Sequence, residues 1–357
     1  MNVHETIDRP SRQARTASET RTKTINLALQ GGGTHGAFTW GVLDRLLEDD
    51  RLDFEGLVAT SAGAMNASVM AYGLAAGGRE GAKKALTNFW RRVSHAAVFS
   101  PLQPTLFDKL TGNHSMENSP PYIFFDMITR FLSPYQFNPF NINPLRQVLE
   151  QSVDFDVLKA TRCKVKLSIC ATNVRTGKVR VFGNDEITPD AILASACLPF
   201  LFRSVEIDGE DYWDGGYMGN PAIFPLIYGC TSPDVLIVHI NPIYRADVPR
   251  TATEILNRVN EISFNSSLMR EMRAIAFITK LIDSGLADKL DLKRMNIHAI
   301  MADDVTAKLG VASKLNADWD FLTELRDAGR KHAESWLTDN YAKIGKESSI
   351  DIHATYL

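Results

Sequence analysis

The chain reads as an α/β protein: a mainly parallel central sheet flanked by helices, with a helical C-terminal elaboration. Three stretches of its 357 residues carry that expectation. INLALQ (25–30) is a short apolar run followed by a glycine loop and a helical pattern. FEGLVAT (54–60) runs straight into SAGAMNASVMAYGLAAGG, rich in small residues and good helix formers. DVLIVHI (234–240) is apolar and β-branched, the pattern of a strand covered on both faces. Strand, glycine loop, helix, strand, tight turn, helix is how a parallel sheet opens.

Taken in order, residues 1–24 are polar, Arg-rich and lack an apolar h-region, which predicts a disordered tail and not a Sec signal peptide. The helix after the glycine loop, 36–48, gathers Phe38, Val42, Leu43, Leu46 and Leu47 on one face. The next helix is expected to close on Gly77 and Gly78, a pair that suits a C-cap. Residues 99–143 change character, with repeated prolines and aromatics around the apolar block YIFFDMITRFL (122–132). A core-covering insertion and a lid over a greasy substrate site are both open readings of it.

Beyond it, KVKLSICATNV and KVRVF predict paired strands joined at Thr176–Gly177. TPDAILASACLPF predicts a helix opened by Pro189, and VEIDGEDYWDGG a hairpin around Asp208–Gly209. After DVLIVHI come a long amphipathic pattern at 251–285, a strand at NIHAIMA and a last helix at 318–341. Residues 226–357 are thus expected to complete the sheet and add the long helices.

Composition narrows the function. Hydrophobic residues at 45% and charged ones at 23% are ordinary for a globular protein. Lys plus Arg at 39 against Asp plus Glu at 42 leaves a net charge of −3, which gives no electrostatic case for nucleic acid. Cys163, Cys170, Cys197 and Cys230 form no C-x-x-C pair and have no His at ligand spacing, so neither a metal nor a disulfide framework is expected; buried thiols in a reducing compartment are. No apolar run approaches the ~20 residues that span a bilayer, so any membrane association is expected to be peripheral. Cytoplasmic residence is the expectation that follows.

The chemistry turns on two glycine-bearing stretches. In LALQGGGTHGAF, Gly31, Gly33 and Gly36 satisfy G-x-G-x-x-G, the dinucleotide fingerprint. The same loop, through the amides of Gly31, Gly32, Gly33, Thr34 and Gly36, fits an oxyanion hole equally well. The second stretch, VATSAGAMN, sets Ser61 between a strand and a helix with Ala62, Gly63, Ala64 and Ala67 around it. That is a nucleophile elbow, G-x-S-x-G with Ala59 in place of the first glycine. Ser61 as an ordinary helix N-cap is the plain alternative. A dinucleotide fold needs an Asp or Glu at the end of the second strand, and Asp50, Asp53 and Glu55 all lie before or at its start, so the nucleotide reading loses on position. His239, His298 and Asp214 remain as partners for Ser61 in a Ser–Asp–His arrangement, although both histidines sit in apolar surroundings. Asp214 stands before two glycines in DYWDGGYMGNP, a turn that lets the backbone bring a carboxylate close to another element.

GGGTHGAF, TSAGAMNA and DGGYMGNP, in this order and spacing, resemble the three signature blocks of the patatin-like phospholipases, and the resemblance extends over about residues 25–225. It implies a three-layer catalytic core. It also implies hydrolysis of lipid acyl esters by a Ser–Asp dyad without histidine, catalytic metal or cofactor. Carried onto this sequence, Ser61 is the nucleophile, Asp214 the base, and Gly32, Gly33 and Thr34 the main oxyanion donors. Lipid is the implied substrate and partner, with contact to a membrane or lipid aggregate.

Two positions depart from the family pattern. Ala59 replaces the first elbow glycine, and His35 stands where the family often has Arg or Lys. A protonated His35 is the expected substitute for that cation, binding an anionic headgroup and making activity pH-dependent. A soluble esterase with a Ser–Asp–His triad, and a non-catalytic member that binds lipid or a partner, are the alternatives.

Overall fold

Strand alternation divides the core into two layers. Leu27 and Leu29 of β1 (Lys23–Leu29), Leu57 and Ala59 of β2 (Leu52–Ala59), and Leu236 and Val238 of β7 (Asp234–His239) join one buried cluster; Ala28, Val58, Val235 and Ile237 join the other. Successive strand side chains point to opposite faces, so an unbroken apolar strand demands cover on both. The first face is covered by α1 (Gly36–Leu47), α2 (Ala62–Ala97) and α6 (Trp319–Asn340), through residues such as Phe38, Phe89 and Phe321. The second is covered by Leu268, Met272 and Ile275 of α5 (Ala252–Leu281). Truncating a strand leucine such as Leu27 or Leu236 to Ala should cost about 2–5 kcal/mol.

The computed structural model describes residues 22–98, 100, 102, 114, 116–117, 119–160, 163–286 and 292–357. Among these, one eight-stranded sheet runs in the order β5–β6–β3–β2–β1–β7–β8, with β4 paired to β3. β3 (Lys166–Asn173), β2, β1, β7 and β8 (Asn296–Met301) are parallel. β4 (Val179–Phe182), β5 (Val205–Ile207) and β6 (Glu210–Asp214) add antiparallel pairs at the β3 side. The fold is thus a mainly parallel α/β/α sandwich with long helices in its C-terminal region. Helix starts follow their caps: Ser119 accepts from Tyr122 at α3 (Pro120–Phe131), Thr188 from Ala191 at α4 (Pro189–Ser195), and Thr251 from Glu254 at α5.

The structure differs from the sequence expectation in three places. Lys23 and Thr24, assigned to the tail, belong to β1, where Lys23 Nζ donates to the carbonyls of Tyr341 (2.7 Å) and Ile344 (2.9 Å); residues 1–21 lie outside the described residues. Gly77 and Gly78 (φ 64°) break the helical path, but no loop follows. Residues 79–97 carry Ala82, Leu86, Phe89, Trp90 and Val93 at helical spacing, and that face is buried. The apolar block 122–132 falls almost wholly within the single helix α3, while residues 99, 101, 103–113, 115 and 118 of that insertion lie outside the described residues.

Candidate active site

Ser61 follows the C-terminal end of β2 and precedes the first turn of α2. Its backbone is at φ 55°, ψ −122°, a left-handed value that a serine adopts only where the surroundings impose it. Two close approaches do so. A Cβ on Gly63 would stand 2.3 Å from the Leu29 carbonyl oxygen, and one on Gly31 would stand 2.6 Å from Ser61 Cβ. Glycine at both positions lets β1, its loop and the elbow touch backbone to backbone. The Ser61 hydroxyl makes no capping bond to α2, so the plain N-cap reading does not describe it. Its N–H donates to Ser195 Oγ at the end of α4 (2.9 Å), and 8% of the residue's surface remains exposed. The positive end of α2 favours negative charge at this oxygen. Ala59 is fully buried among core residues at the last rung of β2, so its methyl group is absorbed by the core.

Strand register brings Asp214 to the same height. Ala59, two residues before Ser61, pairs with Ile169, and Ala171, two residues beyond Ile169, pairs with Asp214. After Asp214 the chain crosses back over β3: a Cβ on Gly215 would stand 2.2 Å from the Cys170 carbonyl oxygen and 3.0 Å from Thr60 Cγ2. Thr60 Oγ1 then donates to the Gly219 carbonyl (2.6 Å), tying this turn to the elbow. Asp214 is 1% exposed, and its Oδ1 accepts the Gly216 N–H at 2.7 Å. Burial pushes its carboxyl up to about 7, against the opposing pull of the Gly216 N–H and the Ser61 hydroxyl. The hydroxyl is thus near enough to matter electrostatically, yet Oδ2 has no partner of standard hydrogen-bond geometry.

The glycine loop is held from behind. Gly31 donates its N–H to Asn220 Oδ1 (2.7 Å), and its carbonyl accepts from Asn241 Nδ2 (2.6 Å). The Gly36 N–H is turned onto the Gly33 and Thr34 carbonyls. Of the five amides expected to serve an oxyanion, Gly31 and Gly36 are therefore engaged. Gly32, Gly33 and Thr34 head the helical turn that leads into α1, where the first N–H groups lack intrahelical acceptors. Gln30 completes the support, accepting the N–H groups of Ile240 (3.0 Å) and Asn241 (3.1 Å) and donating to Asn265 (3.0 Å).

His35 does not take the part of a headgroup cation. It is 1% exposed, its Nε2 is paired with Ser313 Oγ (2.8 Å), and burial beside Lys314 and Arg245 pushes its pKa down to about 3. The other two histidines are also engaged away from the elbow. His239 Nε2 meets the Tyr356 hydroxyl (2.7 Å) and His298 Nε2 meets Asp234 (3.0 Å); neither contacts Ser61 or Asp214 among the described hydrogen bonds.

A cavity of about 190 Å³ lies beside this constellation. Its wall includes Leu198 and Tyr217, neighbours of the Cys197 carbonyl and Gly216 N–H that bond to Asp214, and Lys314, whose backbone packs on Gly33. Tyr122 and Phe125 of α3 and Phe264 of α5 make it largely apolar. Lys314 is the basic residue among these lining residues, partly buried and donating to Asn241 Oδ1 (3.3 Å); burial lowers its pKa, Glu261 opposes and Arg245 adds to the lowering. Sequence reading missed Lys314, Asn220, Asn241 and Ser195. Asn220 carried a signal as part of the DGGYMGNP block, and Ser195 as part of the ASACLPF stretch. Among the described residues no cluster of His, Cys, Asp and Glu has the arrangement of a metal site, and no helix is long and apolar enough to cross a membrane.

No curated protein matches the chain. Among solved structures it is similar to VipD from Legionella pneumophila, at 15% identity and a TM-score of 0.35, over 85% of this chain and 67% of that one. It is also similar to the ExoU–SpcU complex of the type III secretion system of Pseudomonas aeruginosa, at 18% identity and a TM-score of 0.32, over 69% of this chain and 50% of that one. The chain thus spans half the length of the latter relative. The family model for patatin-like phospholipases matches residues 27–227, more than half of the sequence, and the protein belongs to that family of lipid hydrolases.

Proposed function

We propose that the protein is a serine lipid acyl hydrolase of the phospholipase A type, with Ser61 as nucleophile and Asp214 as its base. The observation that carries this reading is the meeting, at one height of the sheet, of a strained elbow serine and a buried carboxylate whose pKa is near 7. A base raised to about 7 has its pKa near a neutral operating pH, the match at which general-base catalysis is most effective. Among the described residues, no histidine contact at the elbow favours the triad alternative.

Ionised Asp214 takes the Ser61 proton as Oγ bonds to the ester carbonyl carbon. The amides of Gly32, Gly33 and Thr34 hold the resulting oxyanion, and the positive end of α2 adds to that field. As the tetrahedral adduct collapses, the C–O bond to the alcohol breaks and the alcohol leaves with the proton from Asp214. Water then gives a proton to Asp214 as its oxygen bonds to the acyl carbon. When that adduct collapses the bond to Ser61 Oγ breaks, Ser61 takes the proton back from Asp214 and the fatty acid leaves. The apolar cavity receives the acyl chain, and Lys314 supplies the cation that His35 cannot.

The test is release of fatty acid from a mixed phospholipid panel by wild type, Ser61→Ala and Asp214→Asn, with circular dichroism to confirm folding. Hydrolysis by wild type alone is the expected result. Turnover that survives in folded Ser61→Ala sinks the assignment.

A further inference from the structure

The helices that wall the cavity also carry large apolar residues on their outer sides. In α3, Tyr122, Phe125, Asp126 and Thr129 face the cavity, the spacing of one helical face. The other side carries Ile123, Phe124, Met127 and Phe131, between 48% and 81% exposed. The first part of α5 repeats the arrangement: Asn257, Asn260 and Phe264 line the cavity, while Ile255, Leu256, Val259 and Ile262 are about half exposed. Phe200 belongs to both sets, lining the cavity while 69% exposed, so the outer apolar surface is continuous with the mouth. Phe140 and Ile142, further exposed apolar residues, follow α3 in the chain. A water-facing helix normally shows one apolar stripe, and apolar surface of this extent marks a contact site.

We propose that the outer faces of α3 and α5 form the surface by which the protein sits on a lipid bilayer, with the cavity mouth against the acyl region. The proposal rests on the reading of the site as a lipid hydrolase. Its occupant follows from position. Helices α3 and α5 wall the cavity and the exposed Phe200 lines it, so a protein seated on these faces would cover the cavity, whereas a bilayer would present its own lipids to it. Charge does not select another partner: on α3, Asp126 pairs with Arg130 (2.8 Å), and near α5, Arg245 and Arg258 both pair with Glu261. Apolar side chains entering the headgroup–acyl boundary would supply the binding, as for a helix lying in the interface plane.

The experiment is flotation of the full chain with vesicles of phosphatidylcholine and phosphatidylglycerol. Ser61→Ala is the background, so that the vesicles stay intact. Phe124→Ser/Phe131→Ser and Ile255→Ser/Val259→Ser, all exposed and outside the cavity wall, should each reduce partitioning by at least about tenfold. In the Ser61 background the same pairs should leave hydrolysis of a water-soluble short-chain nitrophenyl ester within about twofold of wild type. Vesicle binding that is absent, or unchanged by both pairs, overturns the surface while ester hydrolysis leaves the enzymatic reading standing. Loss of flotation in a protein that hydrolyses no ester supports the surface and sinks the enzyme. Self-association abolished by these substitutions, without flotation, assigns the face to a second copy and also overturns the proposal.

Discussion

The half of the site that carries Ser61 is assembled from chain neighbours, while the half that carries Asp214 is assembled across the sheet. β1, the glycine loop, α1, β2 and the elbow follow one another within residues 23–66, and their contacts are short in sequence. Asp214 reaches the elbow only because β6 pairs antiparallel with β3 at the right register and the chain then crosses back toward Thr60. Asn220, Asn241 and Lys314 likewise reach the loop from distant segments. The first half fixes where Ser61, the proposed nucleophile, stands. The second half fixes its protonation and the shape of its loop.

Substitutions should divide along that line. Ser61→Ala is expected to lower kcat by about 10⁴-fold or more, and Asp214→Asn by a similar order, since residues acting as one unit are each indispensable. Comparable single-turnover rates on one ester would check this; an Asp214→Asn variant within tenfold of wild type would separate the halves. Asn220→Ala comes next. It leaves the buried Gly31 N–H without an acceptor, costs about 1–3 kcal/mol in stability and, by loosening the loop, about 10²-fold in kcat. Unfolding midpoints measured beside kcat would show both or neither.

Asp214 also links the site to pH. Its folded pKa of about 7 is above the ordinary carboxylate value, so the folded state holds the proton more tightly than the unfolded state. Two consequences have fixed signs. Activity should rise with pH through about 7 as the base ionises. Stability from this group should fall as pH rises from the ordinary carboxylate range through about 7, and Asp214→Asn should therefore melt higher than wild type at pH above about 7, with the difference vanishing in acid. An unchanged difference in Tm across that range would contradict the burial of the charge.

The fold was legible where a strand had to be covered on both faces. DVLIVHI reads as a strand covered on both faces, and Pro189 and the amphipathic pattern at 251–285 place two helix starts, which the structure caps with Thr188 and Thr251. The elbow was legible because its requirement for small residues is local. What the sequence hid was register: nothing in VEIDGEDYWDGG says which strand it joins or at what height. His35 was misread for a related reason: its burial, which disfavours a charged imidazole, is set by Ser313 and Lys314 far along the chain.

Smaller effects sharpen the picture. Lys314→Met should raise KM for an anionic phospholipid by about three- to tenfold relative to a neutral ester, because it removes the basic side chain from the described wall of the cavity. His239→Gln, which keeps a polar contact for Tyr356, should change turnover by less than about threefold if histidine has no part in the chemistry. A loss of several orders there would restore the triad.

Labelling by a fluorophosphonate at pH 8, followed by intact mass and peptide mapping, tests the central claim most directly. One adduct per chain on Ser61 in wild type, slowed by orders of magnitude in Asp214→Asn and absent in Ser61→Ala, is the predicted result. No adduct in folded wild type, or an adduct elsewhere than Ser61, would contradict it.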